Sequence, residues 1–306
     1  MKKGFCRLSA MGMVSALGDS HNVILKRLLD EVPSRLNEGP KLLNERKFGV
    51  RNVEVPLTQI PQDLKRYRCR NNELALTAFQ QIEEHVATLL ESLGDFRMGV
   101  VMGTSTSGML STEQALAFRK ENGHFPQEFD YAQHEMNGLA DFIAAYSGIT
   151  GPAYTISTAC SSSAKVFASA RALLEMELCD AVVVGGSDSL CEFVLNGFAS
   201  LEVLSAEVSN PMSRNRNGIN LGEGACIFVM ERSPDGIQLR GVGESCDAHH
   251  MSSPEPDGYG AQSAMQNALK NAEMNPDKIQ YLNLHGTGTR LNDEMEARAV
   301  LNTFPS

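Results

Sequence analysis

Cys160 stands in the run Ser157-Thr158-Ala159-Cys160-Ser161-Ser162-Ser163. The apolar stretch Ala153–Thr158 before it reads as a strand. After it, Ala164, Val166, Phe167, Ala170, Leu173, Leu174 and Met176 recur with helical spacing. This order sets the thiol at a helix N-terminus, where unpaired backbone N–H groups and the helix dipole favour thiolate over thiol. A thiolate at the mouth of a strand–turn–helix is a nucleophile, and acyl groups are its usual cargo. Most of the seven cysteines are read instead as inert small hydrophobes. His285 sets Cys160 apart from them. It ends a second apolar stretch, in Leu282-Asn283-Leu284-His285-Gly286-Thr287-Gly288-Thr289, and is followed by small residues that allow close ligand approach. One conspicuous Cys with a sequence-distant His points to covalent catalysis.

Thr158-Ala159-Cys160-Ser161-Ser162-Ser163 and His285-Gly286-Thr287-Gly288-Thr289 resemble the two leading signatures of the β-ketoacyl–acyl carrier protein synthases, condensing enzymes of the thiolase-like superfamily. Gly12-Met13-Val14-Ser15 with Leu17-Gly18, Asn217-Gly218 through Leu221-Gly222-Glu223-Gly224-Ala225, and Asp247-Ala248-His249-His250-Met251 fit the same pattern, in order over nearly the whole chain. The wording around Asn217–Gly224 and Asp247–Met251 is most similar to the synthases of aryl polyene pigment clusters. The resemblance implies an α/β, thiolase-like fold of two similar halves in a layered αβαβα arrangement. It implies acyl transfer to Cys160, then decarboxylative Claisen condensation with malonyl–acyl carrier protein in fatty acid, polyketide or aryl polyene synthesis. His285 would assist decarboxylation by donating a hydrogen bond to the forming enolate oxygen. Thr287 and Thr289 would hold the pantetheine arm, and His250 would lie in a loop beside the acyl or pantetheine pocket. No cofactor is expected beyond the phosphopantetheine carried by the acyl carrier protein. The expected partners are that carrier and a second ketosynthase-like chain, in a homodimer or heterodimer built through the N-terminal half.

The family continues past the helix that follows His285, with a lysine, a second histidine and a glycine-rich loop near the C-terminus. Here the sequence ends at Phe304-Pro305-Ser306, and no histidine follows His285. The second half is therefore expected to be incomplete, as a fragment or a naturally shortened product, with condensation impaired. A donor of the oxyanion hole would be missing with that loop; each such donor is worth about 3 kcal/mol. Glu296 resembles the acid that pairs with the family lysine, and without that lysine it is expected to face solvent. The alternative is a non-catalytic partner of the chain-length-factor type, or an inactive fragment. Such factors usually lose the cysteine, so the retention of Cys160 and His285 favours the enzyme.

Composition narrows the classes further. The 306 residues suffice for one large or two smaller domains. No apolar run reaches transmembrane length, and Met1-Lys2-Lys3 leads into a strand-like segment, not a signal sequence. Seven scattered cysteines point to a reducing cytoplasm. A net charge of -10 disfavours nucleic acid and anionic membrane. A carrier-docking patch would have to be local and basic; Lys65, Arg66, Arg68 and Arg70 either form it or belong to a solvated loop. Cys246-Asp247-Ala248-His249-His250 lacks the second ligand cluster of a structural zinc site, and no metal is expected. Gly185-Gly186 and Gly222-Glu223-Gly224 lack phosphate-loop spacing and are read as close packing and turns.

The elements that must position these residues alternate. Strands are expected at Phe5–Ala10, Met98–Met102, Ala181–Gly185, Ala225–Glu231, Ile237–Val242 and Ile279–His285. Helices are expected at His21–Leu29, Asn72–Leu93, Leu139–Tyr146, Ala261–Ala272 and Asn292–Leu301. The alternation implies a parallel sheet with helices on its faces. Ser233-Pro234-Asp235-Gly236 is a turn, and the boundary is set there, giving domains 1–233 and 234–306. Thr104–Gly108 and Glu244–Gly260 read as irregular loops of the kind that shape sites. Phe193, Leu195 and Phe198 have near-helical spacing; such residues are more often core than tunnel wall, and Phe198 is the substrate-side candidate.

Overall fold

The computed structural model describes residues 6–30, 35–40, 42, 47–250 and 252–304. Phe5, Met251 and the Met1-Lys2-Lys3 start fall outside them. The elements in chain order are β1 (Cys6–Ser15), α1 (His21–Leu29), β2 (Asn37–Glu38), β3 (Gly49–Arg51), α2 (Arg70–Phe79), α3 (Glu83–Leu93), β4 (Met98–Gly103), α4 (Met109–Asn122), α5 (Gly138–Ser147), β5 (Ala153–Ile156), α6 (Ser162–Glu175), β6 (Ala181–Asp188), α7 (Glu192–Ser200), β7 (Leu221–Gly222), β8 (Gly224–Arg232), β9 (Ile237–Gln238), α8 (Tyr259–Ala272) and α9 (Arg290–Thr303). They divide into two compact units, each discontinuous in sequence. The first holds 1–35, 51–195 and 222–238; the second holds 36–50, 196–221 and 239–306.

The first unit is built on a six-stranded sheet in the order β5-β4-β6-β8-β1-β9. β4 runs parallel to β5 and β6, whereas β8 runs antiparallel to both β6 and β1. The sheet is thus mixed, not wholly parallel as the alternation implied. Parallel pairs form where helices carry the chain back across the sheet, as α4 and α5 do between β4 and its neighbour β5, and as α6 does from β5 past β4 to β6. Between β6 and β8 the chain makes a long excursion through residues 189–223, and nothing obliges the next strand to run the same way.

Helices α2 and α5 cover one face of the sheet and α6 the other. Met98, Val100, Met102, Val183, Ile227 and Val229 from the strands meet Leu74, Phe79, Phe142 and Ile143 from the helices, all essentially without exposure. Burial of such side chains is worth about 1.5–3 kcal/mol each. The single long helix expected over Asn72–Leu93 is two helices, α2 and α3, broken at Gln80–Ile82. The apolar period continues across the break, so composition carries no mark of it. Gly12 on β1 explains the geometry: an added Cβ there would lie 1.9 Å from the Ala78 carbonyl oxygen, so the end of α2 sits directly on the strand.

One buried ion pair ties the unit together. The Glu223 side chain is 1% exposed and accepts from Arg70 Nε at 2.8 Å and Nη2 at 2.5 Å. Its carboxylate also accepts from the Val53 N–H at 3.0 Å, and Arg70 donates to the Val53 carbonyl at 3.1 Å. Glu223 is therefore neither a phosphate cradle nor a mere turn residue, and Arg70 is withdrawn from the basic patch. Lys65, Arg66 and Arg68 remain exposed, with Arg66 over the Tyr67 ring and Arg68 donating to Gln62.

In the second unit β2 pairs antiparallel with β3, and α8 packs on α9. The expected strand Ile237–Val242 shortens to β9, which pairs with Arg7 and Leu8 of β1 in the first unit's sheet. The following segment lies along α8 instead, where the Val242 N–H donates to Asn271 Oδ1 at 3.0 Å. The expected strand Ile279–His285 is extended without a ladder among the described residues. Leu282 and Leu284 are half-buried while Tyr281, Asn283 and His285 are exposed, so the alternation is real. Alternation reports which side of a segment is covered; a strand also needs a neighbour for its N–H and C=O groups.

Arg70→Met tests the ion pair. It leaves the Glu223 carboxylate buried without its cation and is expected to cost about 3 kcal/mol. The measurement is the urea unfolding midpoint; an unchanged midpoint would remove Glu223 from the account of stability.

Candidate active site

Cys160 lies in the first unit, between β5 and α6. The chain makes the turn with Ala159 at φ +51°, a left-handed conformation uncommon outside glycine and often found at functional sites. Three side chains hold it. Ser162 Oγ accepts from the Thr158 N–H at 2.8 Å and donates to the Ala159 carbonyl at 2.6 Å. Ser161 Oγ donates to the Thr158 carbonyl at 2.9 Å and lies 3.0 Å from Thr158 Oγ1. The serines around Cys160 are thus the staples of the turn, and the thiol stays exposed.

The turn rests on a floor of two glycines. An added Cβ at Gly103, the last residue of β4, would sit 2.7 Å from the Ser162 carbonyl carbon and oxygen. One at Gly186, on β6, would sit 2.0 Å from Ser163 Oγ. Only the absence of a side chain at both positions lets the start of α6 approach the strand ends this closely. This confirms close packing as the use of Gly185-Gly186. A cavity of about 380 Å³ in the same unit is lined by Met13, Phe167, Gly186, Asp188, Cys226 and Phe228, among others.

Burial separates the other thiols from Cys160. It pushes Cys69, Cys191 and Cys226 up to about 11 and raises Cys6 and Cys179 above their ordinary value. Cys160 and Cys246 are the two exposed cysteines.

His285 lies in the second unit, at the entrance to a turn that the next helix holds from below. Glu296 on α9 is buried, and its carboxylate accepts from the His285 N–H at 2.5 Å and the Gly286 N–H at 2.9 Å. One helical turn earlier, buried Asp293 accepts from the Gly288 N–H at 3.2 Å and from the Met212 N–H at 2.7 Å. The expectation that Glu296 faces solvent is corrected: it needs no lysine partner because the backbone of the His285 turn supplies its donors. Asp293 escaped the sequence reading altogether. Its signal was the spacing Gly288-x₄-Asp293-x₂-Glu296, which sets both acids on one face of the helix that follows the turn.

Thr287 Oγ1 and Thr289 Oγ1 lie 2.7 Å apart. Both line a cavity of about 520 Å³ together with His285, Phe198, Val203, Arg216, Pro254 and Leu291, among others. Within this unit the structure thus brings His285, Thr287, Thr289 and Phe198 together. His250 is exposed, its Nδ1 accepting from the Ser252 N–H at 3.1 Å, and from its loop Ser252, Ser253 and Pro254 line the cavity. Asp247 accepts from the His249 and Glu255 N–H groups, so it serves the loop itself. Leu195 is buried, whereas Phe193 is 69% exposed.

Residues 51–235 match the family model described as β-ketoacyl synthase, N-terminal domain, and residues 237–306 match its C-terminal domain. Nodulation protein E of Rhizobium leguminosarum bv. trifolii is 28% identical over 289 residues, 88% of this chain and 72% of that protein. The chloroplastic 3-oxoacyl-[acyl-carrier-protein] synthase I of Arabidopsis thaliana is 30% identical over 235 residues, 71% of this chain and 49% of that protein. Among solved structures, the ketosynthase ApeO in complex with its chain length factor ApeC, from Xenorhabdus doucetiae, superposes with a TM-score of 0.94 at 39% identity. That match covers 98% of this chain and 76% of that one. A β-ketoacyl synthase from Burkholderia phymatum, 24% identical with a TM-score of 0.85, shares the fold.

Two outcomes follow. With limiting iodoacetamide near pH 8, Cys160 is expected to alkylate first, because it alone combines exposure with a helix N-terminus. The four buried thiols and half-buried Cys226 should react only as the pH approaches their raised values. Peptide mapping across pH checks this, and faster labelling at Cys6 or Cys69 would contradict it. Glu296→Ala strips two N–H groups of their acceptor and is expected to cost about 2 kcal/mol. Loosening of the His285 turn should appear as faster amide exchange at His285 and Gly286, and unchanged exchange there would contradict the clamp.

Proposed function

The chain belongs to the β-ketoacyl synthase family, with its thiolase-like fold, and from that premise we propose that it is an acyltransferase of the 3-oxoacyl-[acyl-carrier-protein] synthase type with Cys160 as nucleophile. The observation that carries the reading is the stapled Cys160 turn on its glycine floor, which presents an exposed thiol at a helix start. In the transfer step Cys160 Sγ attacks the thioester carbonyl of an acylated carrier. The new C–S bond forms, the carrier C–S bond breaks, and the carrier thiol leaves with a proton. In this reading a backbone N–H at the Cys160 turn would meet the charge that develops on the carbonyl oxygen.

The second unit supports the other substrate's side of the reaction. His285 would hydrogen-bond the enolate formed as malonyl–carrier loses carbon dioxide, while Thr287 and Thr289 would hold the pantetheine arm on the wall of the 520 Å³ cavity. Phe198 would border the same space, and His250 would belong to the loop that flanks it. The enolate carbon then attacks the acyl–Cys160 carbonyl, a carbon–carbon bond forms, and the Cys160 C–S bond breaks. The phosphopantetheine arrives on the carrier, so the chain itself needs no further cofactor. No helix among the described residues is long and apolar enough to cross a membrane. We place the protein with its carrier in the cytoplasm.

ApeO is a ketosynthase described in complex with a chain length factor. By that likeness we propose a ketosynthase-like chain as the partner here, of the same or a different sequence. Retention of Cys160 favours the catalytic side of such a pair over the chain-length-factor side, and the wording around Asn217–Gly224 and Asp247–Met251 favours an aryl polyene setting.

The test is incubation with an acylated carrier protein followed by peptide mass spectrometry. The expected result is the acyl mass on the Cys160 peptide, at least about a hundredfold less with Cys160→Ala. An unmodified Cys160 with a competent donor would overturn the enzyme reading and leave the non-catalytic partner.

A further inference from the structure

Asp188, the last residue of β6, takes no part in the reaction drawn above, yet it gathers more donors than any catalytic candidate. Its Oδ1 accepts from the Ser105 N–H at 2.7 Å and the Thr106 N–H at 2.9 Å. The same oxygen accepts from the hydroxyls of Thr104 at 3.0 Å, Ser105 at 3.1 Å and Thr106 at 2.9 Å. The loop after β4 is thereby wrapped around one carboxylate oxygen. Within the loop the Ser107 N–H donates to Thr104 Oγ1 at 2.9 Å, with Ser107 at φ +45°, and outward the Ser107 hydroxyl donates to the Glu135 carbonyl at 2.8 Å while Thr106 Oγ1 accepts from the Ser189 N–H at 3.1 Å.

This loop begins where the nucleophile's floor ends. Gly103 abuts the Ser162 backbone, and the next residue's N–H, at Thr104, donates to the Ile156 carbonyl at 3.3 Å. Ile156 is the last residue of β5, four positions before Cys160. On the other side, Gly186 abuts Ser163 and stands two positions before Asp188. The carboxylate therefore joins the ends of β4 and β6, the two strands on which the Cys160 turn rests. Hydrogen bonds to a charged acceptor are about twice as strong as neutral ones.

We propose that Asp188 is a positioning residue for Cys160, acting through the 104–107 loop to fix the strand ends beneath the nucleophile's turn. The proposal rests on the reading of Cys160 as the nucleophile. Its requirement is a hydrogen-bond acceptor at position 188, so Asn, which keeps one carbonyl oxygen there, should largely replace Asp.

The experiment compares the full chain with Asp188→Ala and Asp188→Asn. Alkylation rates of Cys160 and Cys246 are read by peptide mapping from pH 6 to 9, with Cys246 as the internal exposed reference. Asp188→Ala is expected to lower the Cys160-to-Cys246 rate ratio about tenfold and to shift its pH profile, and Asp188→Asn to hold the ratio within about twofold. A ratio unmoved in Asp188→Ala, with only the buried Cys69 and Cys191 becoming reactive, would show a merely structural role and overturn the proposal. So would a loss in Asp188→Asn equal to that in Asp188→Ala. Should Asp188→Ala fail to fold, Ser105→Ala deletes one hydroxyl donor to Asp188 and is expected to lower the ratio about twofold, an unmoved ratio again overturning the proposal. Alkylation needs no carrier thioester, so a wild-type chain that refuses acyl transfer would sink the proposed function while leaving this result readable.

Discussion

The approach of the first turn of α6 to the ends of β4 and β6 is the constraint on which the rest depends. A helix normally stands off a sheet by the width of its side chains. Here Gly103 and Gly186 remove them on the sheet side, and the backbone of Ser162 and the side chain of Ser163 fill the space. A helix start so close to the strand ends forces the preceding residues into a tight bend, which is why Ala159 takes a left-handed conformation and why three serine and threonine side chains are spent on stapling it. The consequence is chemical. The residue at the top of the bend, Cys160, is exposed at the start of a helix.

Buried or half-buried carboxylates perform a common task across both units. Glu223 is closed by Arg70 and backbone N–H groups, Asp188 by the 104–106 loop, Glu296 and Asp293 by the turn after His285. An unpaired carboxylate away from water is costly, and several N–H donors on one acid satisfy it while fixing an irregular loop that has no ladder of its own. In this fold the acids hold the loops.

Much of this was legible in the sequence. The strand–Cys160–helix order, the α6 periodicity and the glycines as packing residues are patterns that local geometry imposes, and they survive in the structure. His285 stood out because small residues follow a strand-like run, whereas Thr287 and Thr289 were marked only by the family resemblance. The acids were not legible as clamps. Asp188 carries no local mark, since its donors lie 82–84 positions away, and Asp293 shows only its spacing from Gly288 and Glu296, its Met212 donor lying 81 positions away. Glu296 was misread because the reading looked for a side-chain partner when the partner is backbone. The break between α2 and α3 and the antiparallel β8 were missed for a similar reason. Both follow from what packs against them, not from their own periodicity.

The most direct measurement is a steric compensation at the floor of the nucleophile. Gly186→Ala places a methyl group 2.0 Å from Ser163 Oγ and 2.9 Å from the Gly103 carbonyl oxygen, and Ser163→Gly removes the closer of these contacts. Single-turnover acyl transfer to Cys160 is measured in each single variant and in the pair. The account predicts that Gly186→Ala slows transfer about a hundredfold in a cooperatively folding protein and that adding Ser163→Gly recovers most of the loss. A folded Gly186→Ala protein that transfers at the wild-type rate would contradict it, because the close approach of α6 to β6 would then not be what positions Cys160.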